Sequence, residues 1–278
     1  MGSKVEDVQT PINGEGGRAF STLCDPDTHE PLTLGRETLT GETVLRSPSG
    51  RTYPIRDGII VFIDPAKVSG LNLWHQRFYD RLAPWYDAGS LLHLLYSPAT
   101  RRWRVEYLQE LAVEHGSRVL EVSVGTGANL QRLPSSAEYV GLDLSWGMLR
   151  RCRRKLQRRP NVILCQGLGE YLPFQDGSFD VVFHVGGINF FSDKARALAE
   201  MVRVARPGAR VMIVDGTERF ARRYERTPIL ASIYRRRPET LQAPVDLLPA
   251  GVTDVRVKEI ADGELYCLTC RTPDTPRH

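Results

Sequence analysis

From residue 117 onward, short apolar runs alternate with stretches whose apolar residues recur at helical spacing. RVLEVSV (118–124), EYVGLDL (138–144), NVILCQG (161–167), FDVVFHV (179–185) and RVMIVDG (210–216) read as strands. Helical stretches, including SWGMLRRCRRKLQ and DKARALAEMVRVA, lie between most of them. Near-continuous apolar strands spaced by helices predict an α/β fold, a doubly wound parallel sheet covered on both faces. DVRVKEI and ELYCLTCRT, separated by ADG, predict a terminal hairpin.

Ahead of residue 117 the pattern differs. Residues 20–65 place β-branched residues among Gly, Pro, Ser and Asp, which predicts a small β module. Residues 66–116 read as a helical cap, where Trp103, Tyr107, Leu108 and Leu111 share one helix face. Residues 1–19 lack the apolar centre of a signal peptide and are expected to be a flexible leader. The expected division is therefore 1–19, 20–65, 66–116 and 117–278.

Composition narrows the setting. A chain of 278 residues with 41% hydrophobic and 25% charged residues is ordinary for a globular protein. No run approaches the ~18 apolar residues of a membrane helix. Five cysteines without framework spacing suit a reducing compartment, so a cytoplasmic protein is expected. Cys267 and Cys270 form a C-x-x-C, but in a strand those positions face opposite ways, so two structural cysteines are expected. The net charge is only +4, yet RRCRRKLQRR (150–159) and RFARRYER (219–226) are dense basic runs. A solvated helix face is the expected use, with an RNA-contacting surface as the alternative.

The candidate chemistry lies in VLEVSVGTGANL (119–130). Gly125 and Gly127 let backbone and ligand approach closely after the first strand, and a helix expected near Ala128 would offer free N–H groups to an anion. The next strand ends in Asp143, sixteen residues after Gly127, where a carboxylate can accept bonds from both ribose hydroxyls. The rival reading is a structural glycine turn with Asp143 capping the following helix. A dinucleotide site would want a third glycine, which Leu130 replaces.

VLEVSVGTGANL, YVGLDLSWGMLRRCRRK, GLGEYLPFQDGSFDVVF and RVARPGARVMIVD resemble, in that order, the motifs of class I S-adenosylmethionine-dependent methyltransferases. FYDRLAPWYD adds a resemblance to the ubiquinone/menaquinone-biosynthesis type. The resemblance implies a Rossmann-like, seven-stranded sheet ending in a reversed hairpin, with S-adenosylmethionine as cofactor. It implies that Glu121, Gly125 and Gly127 line the methionine end, that Asp143 holds the ribose, and that Leu144 and Met148 flank the adenine. Gly169 lies where a backbone N–H meets the adenine edge, and Tyr79 and Tyr86 could cover the cofactor and face its sulfonium. Two positions depart from the family pattern: Ser123 replaces the first loop glycine, and Leu168 replaces the acidic residue that would bond the adenine amino group.

GRTYPIRDGIIVFID resembles the end of a small zinc ribbon that precedes some methyltransferase domains, among them an rRNA guanine methyltransferase group. Its two C-x-x-C pairs would fall on Cys24 and Asp27, and on Arg46 and Ser49 or Ser47 and Gly50. Only one thiolate of four survives, so no metal is expected.

Methyl transfer from a sulfonium is mainly a matter of in-line positioning. The expected function is methyl transfer to a small-molecule acceptor, in a pocket roofed by residues 72–112 and 217–250. His184, at the end of the fourth strand, is the candidate base, and Asn189 a candidate for orienting the acceptor. Trp74, Phe78, Trp85, Leu91, Leu92, Leu94 and Leu95 suit an apolar roof. The alternatives are an RNA (rRNA base) methyltransferase, a nicotinamide-dependent dehydrogenase and a non-catalytic cofactor-binding or assembly protein.

Overall fold

All five predicted apolar runs form adjacent strands, because their side chains are buried on both faces of one sheet. The computed structural model describes residues 5–6, 20–37, 41–96, 99–225, 231–234 and 239–274. The amino-terminal strands are β1 (Val5–Glu6), β2 (Thr33–Glu37), β3 (Thr43–Arg46), β4 (Thr52–Arg56) and β5 (Ile59–Val61). They are followed by β6 (Arg118–Val122), β7 (Glu138–Asp143), β8 (Val162–Gln166), β9 (Phe179–Val185), β10 (Ala205–Gly216), β11 (Thr253–Ile260) and β12 (Leu265–Arg271). The order is β1-β2-β3-β4-β5-β8-β7-β6-β9-β10-β12-β11. Its last seven strands are the doubly wound sheet, parallel from β8 to β10 and closed by the antiparallel β11–β12 hairpin.

Helices α1 (Gly70–Tyr96), α2 (Ala99–Glu110), α3 (Trp146–Lys155), α4 (Lys194–Val204), α5 (Glu218–Tyr224) and α6 (Ala231–Tyr234) complete the described fold. Alternation along the strands sends side chains into two cores. Leu120 and Val122 join Leu198 and Met201 of α4 in one. Val119 joins Leu149 and Cys152 of α3 and Tyr107 and Leu111 in the other. Cys270 and Cys267 divide between the two cores in the same way, as alternation requires.

The β module continues the main sheet. β5 pairs in parallel with β8, Ile60 opposite Cys165, and Leu23 bridges to Phe174. Leu45, Tyr53, Ile60 and Phe62 enter the core that contains α4. Cys24 is buried, which pushes its thiol up to about 12. Asp27 pairs with Arg51 and Lys67, and the Ser47 and Ser49 hydroxyls lie 2.8 Å apart. Asp25 Oδ1 accepts the backbone N–H groups of Asp27 and Thr28 at 2.8 and 3.1 Å, and Oδ2 accepts the Tyr53 hydroxyl at 2.8 Å. Hydrogen bonds and ion pairs thus hold the loops around residues 25–28 and 47–51. Among the described residues no cluster of His, Cys, Asp and Glu could hold a metal ion.

One expected element is absent. Instead of a helix from Ala128 there is a single 3-10 turn, Leu130–Arg132. Pro134 pushes the residue before it out of helical geometry, and Leu133 has φ −81° and ψ 153°. No helix among the described residues is long and apolar enough to cross a membrane.

Candidate functional site

The site is built where β6, β7, β8 and β9 end and α1 crosses above them. After β6 the chain turns sharply, with φ +62° at Ser123, +54° at Gly125 and +77° at Gly127. Only glycine adopts this region at little cost, so Ser123 carries strain there. The two glycines do different jobs. A Cβ on Gly127 would lie 2.7 Å from Cys152 Sγ, so that residue lets the loop pack on α3. A Cβ on Gly125 would meet nothing within 4 Å, so that residue borders open space.

Two carboxylates flank the turn. Asp143 Oδ2 accepts the Gly125 N–H at 2.8 Å and Oδ1 accepts the Ser145 N–H at 2.8 Å. These two bonds leave further lone-pair sites on the carboxylate. Burial pushes its pKa up to about 6. The N-cap of α3 is Ser145, whose hydroxyl accepts the Met148 N–H, so Asp143 does not cap that helix. Glu121 is buried; its Oε1 accepts Asn129 Nδ2 at 2.6 Å, and its Oε2 has no partner. Desolvation, with a smaller contribution from the Asp143 charge, pushes the Glu121 carboxyl up to about 8. Tyr107 of α2 donates to Asn129 Oδ1 at 2.7 Å and so fixes that amide.

α1 is tied down at several points. Asn72 Nδ2 donates to Glu170 Oε1 at 2.9 Å, and Gln76 Nε2 approaches the Leu144 carbonyl at 3.4 Å. Asp80 Oδ1 accepts the Ser145 hydroxyl at 2.6 Å and the Gly147 N–H at 2.8 Å. Ala83 packs at the same crossing, 3.0 Å from where a Gly147 Cβ would stand. This arrangement carries Tyr79 and Tyr86 over the sheet, their rings 6.4 Å apart. Burial raises the Tyr79 phenol above its usual range, and the Tyr86, Asp215 and Asp143 charges act in the same direction. Met148 and Leu168 are buried, Leu144 is half-buried, and a Cβ on Gly169 would lie 2.5 Å from the Phe191 ring.

His184 and Asn189 sit deeper. His184 is fully buried, its Nδ1–H donating to the Val122 carbonyl at 3.0 Å and its ring edge-on to Phe191 at 5.3 Å. Burial lowers its pKa. The Asn189 N–H and Nδ2 both donate to Asp215 Oδ2, at 3.1 and 3.0 Å, and Asp215 Oδ1 accepts the Gly216 N–H at 2.7 Å.

An aromatic wall stands between α1 and the end of β10. Phe190 lies 5.1 Å from His75 and 5.6 Å from Tyr234, whose ring also neighbours Phe220 and Tyr224. Trp74 and Phe78 stack at 5.2 Å. Trp85 faces solvent with 74% exposure and roofs nothing, because it shares the outer face of α1 with exposed Arg77 and Arg81. The side chains of Leu91, Leu92, Leu94 and Leu95 lie outside the described residues, as does nearly all of the 1–19 leader.

The basic runs are partly built into the fold. Arg159 donates to the Leu133 and Pro134 carbonyls and lies over the Tyr139 ring, while Arg222 and Arg223 pair with Glu218 and Glu264. A separate polar cleft of about 290 Å³, lined by Ser117, Asp180, Arg206 and Arg271, opens at the opposite end of the sheet.

Sequence reasoning missed Asn72, His75, Gln76, Asn129, Asp215 and Tyr234. Residues 72, 75, 76 and 79 follow i, i+3, i+4 and i+7 spacing, so a polar stripe on one face of a helix was the available signal.

Residues 120–213 match the family described as methyltransferase domain. A demethylmenaquinone methyltransferase of Renibacterium salmoninarum is 36% identical over 138 residues, which cover 49% of this chain and 56% of the relative. A ubiquinone/menaquinone biosynthesis C-methyltransferase of Syntrophotalea carbinolica is 34% identical over 161 residues, covering 56% of this chain and 65% of the relative. The chain thus spans less than two thirds of the length of either relative. A chain from the complex of the Haloferax volcanii Trm112 methyltransferase activator with a methyltransferase superposes with TM-score 0.59. It shares 18% identity, over 73% of this chain and 99% of that one, which is a likeness of fold.

Proposed function

Because the chain carries a class I S-adenosylmethionine-dependent methyltransferase domain, we propose that it transfers a methyl group from S-adenosylmethionine to a small-molecule acceptor. One observation carries this reading: two acidic side chains beside open space at the ends of β6 and β7. Glu121 Oε2 is buried without a partner, Gly125 borders the opening, and Asp143 keeps lone pairs free beside the loop. A buried, unsatisfied carboxylate favours a cationic ligand, and the free acceptor sites of the second carboxylate suit the donating hydroxyls of a ribose.

In this reading Glu121, Ser123, Gly125 and Gly127 hold the methionine end, and Asp143 takes the ribose hydroxyls. Leu144, Met148 and Leu168 flank the adenine, and the Gly169 N–H meets its edge. Tyr79 and Tyr86 cover the sulfonium face. S-adenosylmethionine supplies a methyl group on a cationic sulfur there. The protein's share is to align the acceptor, exclude water and take up any proton released. The aromatic wall of Phe190 and Tyr234 favours a flat ring as acceptor. The names of the two curated relatives, both quinone-biosynthesis methyltransferases, support the same class.

Isothermal titration calorimetry tests the reading. S-adenosylmethionine should bind one to one, and Asp143→Ala should weaken binding by about 2–4 kcal/mol through loss of charge-assisted ribose bonds. Absence of binding, or tighter binding of NAD, refutes it.

A further inference from the structure

We propose that His75, on the cap helix, takes the proton from an ionisable hydroxyl of the methyl acceptor. The proposal rests on the methyltransferase reading above and adds the base that reading leaves unassigned.

Position, not ring chemistry, separates His75 from His184, whose Nε2 is likewise buried without a partner. His184 lies in the core beneath Phe191, with its Nδ1–H on a β6 carbonyl. His75 lies on the crossing face of α1, between Asn72, anchored on Glu170, and Tyr79, which stands over the cofactor region. Its ring faces Phe190 at 5.1 Å, the residue that also contacts Tyr234. His75 therefore belongs to the wall that would clasp a flat acceptor.

Its tautomer is set by the helix. Nδ1 lies 2.9 Å from the Leu71 carbonyl, which can only accept, so Nδ1 carries the hydrogen. The lone pair is left on Nε2, a buried atom with no partner. A buried acceptor without a donor is costly, and an acceptor hydroxyl would satisfy it. Burial also lowers the pKa of His75, keeping the ring neutral and able to receive a proton near neutral pH. Around the ring, Tyr79 on the same helix titrates well above neutral, and Phe190 from the sheet side carries no charge. Glu170, from the segment after β8, is bonded to Asn72, one turn back on α1.

The proton balance is simple. The acceptor O–H bond breaks and its electron pair stays with the acceptor, which thereby becomes the nucleophile. The proton forms a new N–H bond at His75 Nε2, and the resulting imidazolium returns it to water after transfer.

Naphthalene-1,4-diol, kept reduced by excluding oxygen, serves as the probe in protein saturated with S-adenosylhomocysteine. Phenolate absorbance should show the bound probe ionising at a pH about one to two lower than the free probe. His75→Gln should still bind S-adenosylhomocysteine but lose that displacement, and in a separate assay with S-adenosylmethionine in its place methyl transfer to the probe should fall roughly 10²–10³-fold. An unchanged displacement in His75→Gln overturns the proposal, as does a probe that fails to bind the S-adenosylhomocysteine complex. Failure of the wild-type protein to bind S-adenosylhomocysteine instead overturns the methyltransferase reading itself. Nitrogen-15 NMR of wild-type protein gives a check that needs no folded variant. An unprotonated Nε2 at neutral pH, perturbed by the probe, is expected, and a protonated Nε2 overturns the assignment.

Discussion

Replacing Glu121 with Gln should stabilise the cofactor-free protein, and by an amount that grows with pH. Glu121 is buried with one oxygen bonded to Asn129 and the other unpartnered, and desolvation pushes its carboxyl from 4.5 to about 8. Between those values the folded protein holds a proton that the unfolded chain releases. Stability is therefore full below about 4.5 and falls as pH rises toward 8. The distance from 4.5 to neutral pH, at 1.36 kcal/mol per unit, amounts to about 3 kcal/mol lost at pH 7 and about 4–5 at pH 8. Gln keeps the acceptor for Asn129 and does not titrate, so the variant escapes this loss. Asp143 also titrates, its pKa pushed up to about 6, but it does so in both proteins and cancels apart from its coupling to Glu121. Scanning calorimetry without ligand should show melting temperatures within about 2 °C at pH 5, and the variant about 8 °C higher at pH 8, taking ~2 °C per kcal/mol. A constant difference across that range refutes the assignment of a buried, protonated Glu121. So does a variant that is less stable at pH 8.

Two further outcomes follow from local geometry. Ser123→Gly should raise stability by about 0.5–1 kcal/mol, because φ +62° strains serine and glycine relieves that strain at a smaller entropic cost; an unchanged or lower urea midpoint contradicts it. Asp25→Ala should cost about 3 kcal/mol or more, since it leaves two backbone N–H groups and the Tyr53 hydroxyl without their buried acceptor. Asp27→Ala should cost no more than about 1 kcal/mol, its partners Arg51 and Lys67 being partly exposed. Equal costs in urea denaturation would mean that the ion pairs, rather than the buried carboxylate, hold the module.

What could be read in advance followed from local pattern. The strands from β6 to β10 were legible because burial on both faces leaves unbroken apolar runs, Asp143 because it ends a strand, and Glu121 because it interrupts an apolar run just before the glycine turn. What escaped depends on contacts far apart in sequence. GIIVFI reads as a strand, but nothing near it says that β5 pairs with β8, about a hundred residues later. His75 reads as one more residue of a helix until α1 is laid across the ends of β7 and β8. The helix expected from Ala128 failed for a reason visible in the chain, since Pro134 stops it after one turn, and for another that was not. Asn129 is held between Tyr107 and Glu121. The loop is steadied by a side-chain chain running from α2 to the buried carboxylate. Loop position and carboxylate position are therefore coupled through one amide, and a change in the charge of Glu121 acts on the same loop that Asp143 holds from its other side.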